Sequence, residues 1–150
     1  MLEACPECGA PLPEGGSCLD HFHALLLEAQ IPGVPGSILH FYAVAAYVLQ
    51  HPGTMSYSAA ALAGLRAALS DMLHGRATLD DVRRRALFRE EGSVRITGRA
   101  GEPKAAWQRG AWPVTVADVC AARPNTREGY EVCVLRWPQS VCDTLDAGRS

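Results

Sequence analysis

Residues 37–53, Ser-Ile-Leu-His-Phe-Tyr-Ala-Val-Ala-Ala-Tyr-Val-Leu-Gln-His-Pro-Gly, decide the fold. Ser37 stands where an N-cap belongs, and Ile38 to Gln50 contain no acid, Lys, Arg, Gly or Pro. His51-Pro52-Gly53 then halts the helix. Ahead of this stretch, Ile31 to Gly36 holds two Pro and two Gly and must break any helix that enters it. The helix it breaks runs from about Cys18 to Gln30, with Ser17 as N-cap and Phe22, Leu25, Leu26 and Ala29 on one face. Two helices joined by so short a link pack antiparallel. The end of the second therefore lies beside the start of the first.

The pattern continues in the same style. Ser58 to His74 reads as a third helix, with Leu62, Leu65, Leu69, Met72 and Leu73 at helical spacing and Gly75 as the stop. Thr78 and Asp81 form a capping box for a fourth helix reaching about Phe88. Arg89 to Gly110 loses periodicity, and Val94 to Thr97 reads as a short strand or an extended loop. Trp112-Pro113-Val114 looks extended. Thr115 and Asp118 box a short helix, and a last helix from Thr126 or Arg127 carries Tyr130, Val134, Trp137 and Val141 on one stripe, with Pro138 expected to kink it. The expected fold class is mainly α, a compact helical domain with a zinc-knuckle-like loop at its start. It divides into a metal-binding loop (1–18), a helical core (18–88), an irregular segment (89–111) and C-terminal helices (112–150), all in one domain of 150 residues.

The chemistry sits at the front. Cys5-Pro6-Glu7-Cys8-Gly9 places two thiolates two residues apart, followed by a Gly that lets backbone N–H groups turn towards sulfur. Cys18 adds a third sulfur after a Pro- and Gly-rich loop, and zinc needs a fourth ligand for its tetrahedron. The antiparallel pairing favours His51. His21, one turn after Cys18, is the other choice, while His40 falls about 16 Å from His51 along the helix. His40, Tyr47 and His51 share one helix face, which for His40 and Tyr47 reads as a hydrogen-bonded seam in the core rather than as a site. Cys120, Cys133 and Cys142 read as core packing.

Several of these segments resemble a known family when taken together. They are Cys5-Pro6-Glu7-Cys8-Gly9-Ala10, Cys18, the run from His40 to Pro52 with Tyr47 and Gln50-His51-Pro52-Gly53, and Thr115-Val116-Ala117-Asp118-Val119 ahead of a Trp-bearing final helix. In this they resemble an uncharacterised family of small bacterial proteins, domain of unknown function 5946. The resemblance spans most of the chain and is weakest in the Arg-rich middle. It implies a mostly helical fold and a metal site drawing on Cys5, Cys8, Cys18 and His40 or His51, with no assigned activity. It also implies two departures, since such relatives carry Asp at the place of Ala45 and often His at the place of Arg66. A function resting on those polar side chains would be lost here.

Charge and motif content narrow the function. Net charge is −2, from 14 basic and 16 acidic residues, and residues 1–65 contain no Lys or Arg at all. Arg83-Arg84-Arg85 with Arg76 and Arg89 is interleaved with Asp80, Asp81, Glu90 and Glu91, the pattern of an ion-paired solvated surface rather than of a nucleic-acid interface. No apolar run approaches the roughly 18 residues of a membrane span, and the start has no signal-peptide pattern, so a cytoplasmic location is expected. His-Glu-x-x-His, Gly-x-Ser-x-Gly, phosphate-loop and dinucleotide motifs are absent. The expected function is that of a zinc-binding helical module, its metal mainly structural, that regulates or binds a protein partner. The alternatives are a hydrolase-like zinc enzyme with an open metal position near His40 and His51, and a nucleic-acid binder using the knuckle and the Arg segment.

Overall fold

The computed structural model describes residues 3–12, 16–28, 36–55, 57–87, 112–122 and 126–147. They form α1 (Cys18–Glu28), α2 (Gly36–Gln50), α3 (Ala59–Leu73), α4 (Leu79–Leu87), α5 (Val116–Ala121), α6 (Arg127–Glu131) and α7 (Trp137–Ala147), with a π-helical turn over Val132–Arg136 joining α6 to α7. The chain is mainly helical, as its patterning requires. The expected strand or loop at Val94 to Thr97, together with Ala29 and Gln30 of the first helix, lies outside the described residues. No described helix is long and apolar enough to cross a membrane.

Helix ends follow local chemistry. The Ser58 hydroxyl accepts the Ala61 N–H at 3.0 Å and opens α3. His74 closes the same helix, and Gly75 turns the chain away at φ +71°, a left-handed conformation that costs Gly nothing. Thr78 and Asp81 exchange the two bonds of a capping box, at 2.9 and 3.2 Å. At α5 the Asp118 carboxylate accepts the Thr115 N–H at 2.9 Å. Asp20 does the same for Ser17 at 2.7 Å ahead of α1.

Helix α2 is the axis of the core. Ala45 to His51 are all buried to within 1% of full burial, so the last two turns are covered on every side rather than along one stripe. The cover comes from α1, α3, the π-turn and α7. Leu25 and Phe22 of α1, Leu62 and Leu69 of α3, Val116 and Val119 of α5 and Trp137 and Val141 of α7 complete one cluster. Each such side chain contributes roughly 1.5–3 kcal/mol on burial. Gln50 stitches the cluster from inside: its amide donates to the Val114 carbonyl at 2.8 Å and its oxygen accepts the Trp137 indole N–H at 3.1 Å.

At the place where the sequence puts a kink, just ahead of Pro138, the last helix leaves α-helical geometry. A prolyl ring in an α-helix collides with the carbonyl four residues back. Here the preceding turn widens, with the Trp137 N–H reaching five residues back to the Val132 carbonyl, and the helix runs on. The His40–Tyr47 seam also needs correction, because Tyr47 is buried while His40 is exposed. Helical spacing aligned the two rings, but His40 lies outside the cover that closes over Tyr47.

Candidate metal centre

The knuckle is a tight hairpin. Ala4 and Pro11 bridge as antiparallel strands, the Cys5 N–H donates to the Ala10 carbonyl at 2.8 Å, and the Leu12 N–H to the Glu3 carbonyl at 2.8 Å. Gly9 adopts φ +81° at the turn, which aims the following N–H inward, and Ala10 N–H donates to Cys8 Sγ at 3.4 Å. Cys5, Cys8 and Cys18 are buried, with 3–5% of their surface exposed, although they stand on a polar loop.

Antiparallel pairing of α1 and α2 brings the fourth group. Phe22 of α1 stacks on Tyr47 of α2 at 4.2 Å between ring centroids, and one turn further along, where α2 has just ended, His51 comes to the level of Cys18. The Sγ atoms of Cys5, Cys8 and Cys18 and one ring nitrogen of His51 all lie within 4.8 Å of one another. His21 is not part of this group; its ring is bonded to the Pro11 carbonyl at 3.2 Å. His40, exposed near the far end of α2, is not part of it either.

The protonation pattern suits a cation. His51 Nδ1 lies 2.7 Å from the Tyr47 carbonyl, an oxygen that can only accept, so Nδ1 carries the proton and Nε2 the lone pair. Nε2 is fully buried and has no hydrogen-bond partner. A buried polar atom left so costs about 1–3 kcal/mol unless something fills its lone pair. Cys8 and Cys18 lie 3.5 Å apart, sulfur to sulfur, within hydrogen-bonding distance. The Cys18 thiol bonding to Cys8 pushes Cys8 well below the usual thiol range against the cost of burial, with the Ala10 N–H assisting. Cys18 is pushed up by the same bond, by burial and by the charge on its neighbours. One sulfur therefore ionises readily, and the next does so only if positive charge arrives.

The donor set passes the test of fit. Three soft sulfurs and one imidazole nitrogen make the Cys3His composition of structural zinc sites. A tetrahedron with Zn–S bonds near 2.3 Å sets ligand atoms about 3.8 Å apart, so a spread of up to 4.8 Å closes with shifts of about 1 Å. The family model described as "Family of unknown function (DUF5946)" matches residues 3–146. The chain belongs to that family. No curated protein and no solved structure matches this DUF5946 chain.

Two further side chains complete the centre, one that sequence spacing places beside His51 only as core and one that it does not place at all. Tyr47 is sandwiched between Phe22 and His51, whose ring it meets at 4.0 Å, and its hydroxyl is buried without a partner. Burial, then the charge of Cys18, Cys5 and Cys8, pushes its ionisation up, so it stays a neutral lid on the imidazole. Glu7, between the two knuckle cysteines, accepts the backbone N–H groups of Gly53 at 3.0 Å and Thr54 at 2.9 Å, and the Thr54 hydroxyl as well. The i, i+4 spacing of Tyr47 and His51 was a usable signal; nothing local to Glu7 announces a partner 46 residues away.

Elsewhere four of the described arginines are paired with acids. Arg84 meets Asp81 at 2.9 Å, Arg76 meets Asp71 at 3.0 Å, Arg83 lies 3.9 Å from Asp80, and Arg66 pairs with Asp146. Of the second cysteine trio, Cys142 is buried and Cys120 half-buried with its thiol on the His21 carbonyl at 3.3 Å, while the Cys133 side chain lies outside the described residues. Among the described residues no second group of metal-type ligands forms.

Proposed function

We propose that Cys5, Cys8, Cys18 and His51 hold one zinc ion, that the ion is structural, and that this DUF5946 protein works in the cytoplasm as a binding or regulatory module. The observation that carries the metal is the His51 ring, whose tautomer is fixed by the Tyr47 carbonyl and whose Nε2 lone pair is buried, unpartnered and beside three sulfurs. Zinc is favoured by the softness of three thiolates and by four-coordinate geometry. The structural role is supported by the closed set: four protein ligands leave no position for a reacting water, and three thiolates blunt a Lewis acid. Binding rather than catalysis follows from that closure. The cluster joins the N-terminal loop, the start of α1 and the end of α2, so an ion there pins three parts of the chain that are separate in sequence.

The test is elemental analysis of protein purified without chelator, coupled to thermal melts before and after metal removal. The expected result is one zinc per chain and a melt that collapses on removal. A metal that strips away and leaves the melt unchanged overturns the structural role. Protein purified with no metal, and taking up none on addition of zinc, overturns the site.

A further inference from the structure

We propose that Glu7 is a positioning residue of the metal centre, one that sets the distance between the two-cysteine loop and His51 without itself touching the ion. The inference rests on the zinc reading above and names what holds that site's fourth ligand in place.

His51 is held by two independent devices. Its ring is oriented by its own helix, through the Nδ1 bond to the Tyr47 carbonyl and the stack on the Tyr47 ring. Neither contact fixes where the end of α2 sits relative to the knuckle, since both belong to α2. That second task needs a bond between the loop and the chain just past His51, and Glu7 supplies it. Its carboxylate is the acceptor for Gly53 N–H, Thr54 N–H and the Thr54 hydroxyl, two and three residues beyond the histidine. Pro52 between them has a fixed φ, so the link to His51 is short and stiff.

The backbone beyond His51 leaves these groups for Glu7. Met55 N–H returns to the His51 carbonyl at 3.1 Å and Tyr57 N–H to the Pro52 carbonyl at 3.3 Å, closing the turn around two amides that point to the carboxylate. On its own side, Glu7 sits within the turn closed by the Gly9 N–H on the Cys5 carbonyl at 2.9 Å. One side chain thus lies between two sulfur ligands in sequence and grips the segment that follows the nitrogen ligand. Partners that orient metal ligands in this way commonly change affinity about 10–100-fold when removed.

A double-mutant cycle separates positioning from general stabilisation. Zinc affinity is measured by competition with a chromophoric chelator for the parent chain, Glu7→Ala, His51→Ala and the double variant, and visible absorption is recorded with cobalt in place of zinc. If Glu7 acts by placing His51, Glu7→Ala weakens zinc about 10–100-fold, shifts its cobalt spectrum towards that of His51→Ala, and adds no further loss on top of His51→Ala. Additive losses, or a cobalt spectrum identical to the parent's, overturn the proposal. Should Glu7→Ala fail to fold, Glu7→Gln replaces it in the same cycle, keeping one acceptor oxygen and giving a smaller loss with the same non-additivity. A parent chain that takes up no zinc overturns the site itself, whereas a zinc-binding parent matched by Glu7→Ala overturns this inference alone.

Discussion

Gln50 and His51 are neighbours in sequence, each buried to 1% exposure, and they differ in how their polar atoms are satisfied. Gln50 is complete within the chain, its amide on the Val114 carbonyl and its oxygen on the Trp137 indole. His51 is satisfied on one side only, with Nδ1 on the Tyr47 carbonyl and Nε2 facing three sulfurs without a hydrogen bond. The α2 terminus therefore carries two buried polar centres of different kinds. One is a knot closed by protein groups; the other is a set of donors that calls for an added cation. A buried polar atom with a protein partner argues for packing, and one without argues for a ligand.

The largest expected effect tests the open side of this comparison. Cys8→Ser removes a thiolate from the centre and leaves Cys18 without its sulfur partner. Zinc per chain should fall from one to none. Stability should drop by about 3–5 kcal/mol, the scale of breaking a buried charged set, which for a chain of this size lowers the melt on the order of 10–20 °C. Elemental analysis and a thermal melt check both. A variant that melts like its parent would mean that the sulfurs carry no stabilising ion.

The closed side should respond differently. Gln50→Leu deprives the Val114 carbonyl and the Trp137 indole of their partners, at about 1–3 kcal/mol each, so a loss of roughly 2–6 kcal/mol is expected. Metal content should stay at one per chain, because the centre does not use the Gln50 side chain. If zinc were lost together with stability, the two centres would be one cooperative unit and the contrast between them would fail.

What was legible in the sequence is what local chemistry decides. The capping boxes at Thr78 and Thr115 act within three residues, and the structure shows each one bonded as the sequence implies, whereas Ser37, read as an N-cap, lies inside α2. The juxtaposition of Cys5, Cys8, Cys18 and His51 was legible because two short arguments meet there, a knuckle spacing and an antiparallel link. The Glu7 grip and the Gln50 knot were not legible. Their partners lie 46 and 47 residues away in the first case and 64 and 87 in the second, and hydrogen bonds of that range leave no period in the sequence. The wide turn before Pro138 is intermediate: the proline announces a disturbance but not its form, a widened turn that continues into α7 with Trp137 and Val141 in the core.

The smallest effect is expected at His40, and it sharpens the comparison by pitting two histidines of one helical register against each other. His40 and His51 are eleven residues apart, about three turns, so the sequence places both rings on one side of α2. Burial separates them. His51 lies where α1 closes over the end of α2, while His40 is exposed. His40→Ala trims an exposed side chain and puts the better helix former in place, so stability should stay within about 0.5 kcal/mol of the parent. Zinc per chain should be unchanged, as measured by elemental analysis beside a melt. A fall in zinc on losing His40 would bring the exposed ring into the centre, reopen the reading with an open metal position, and show that burial was the wrong criterion for telling the two histidines apart.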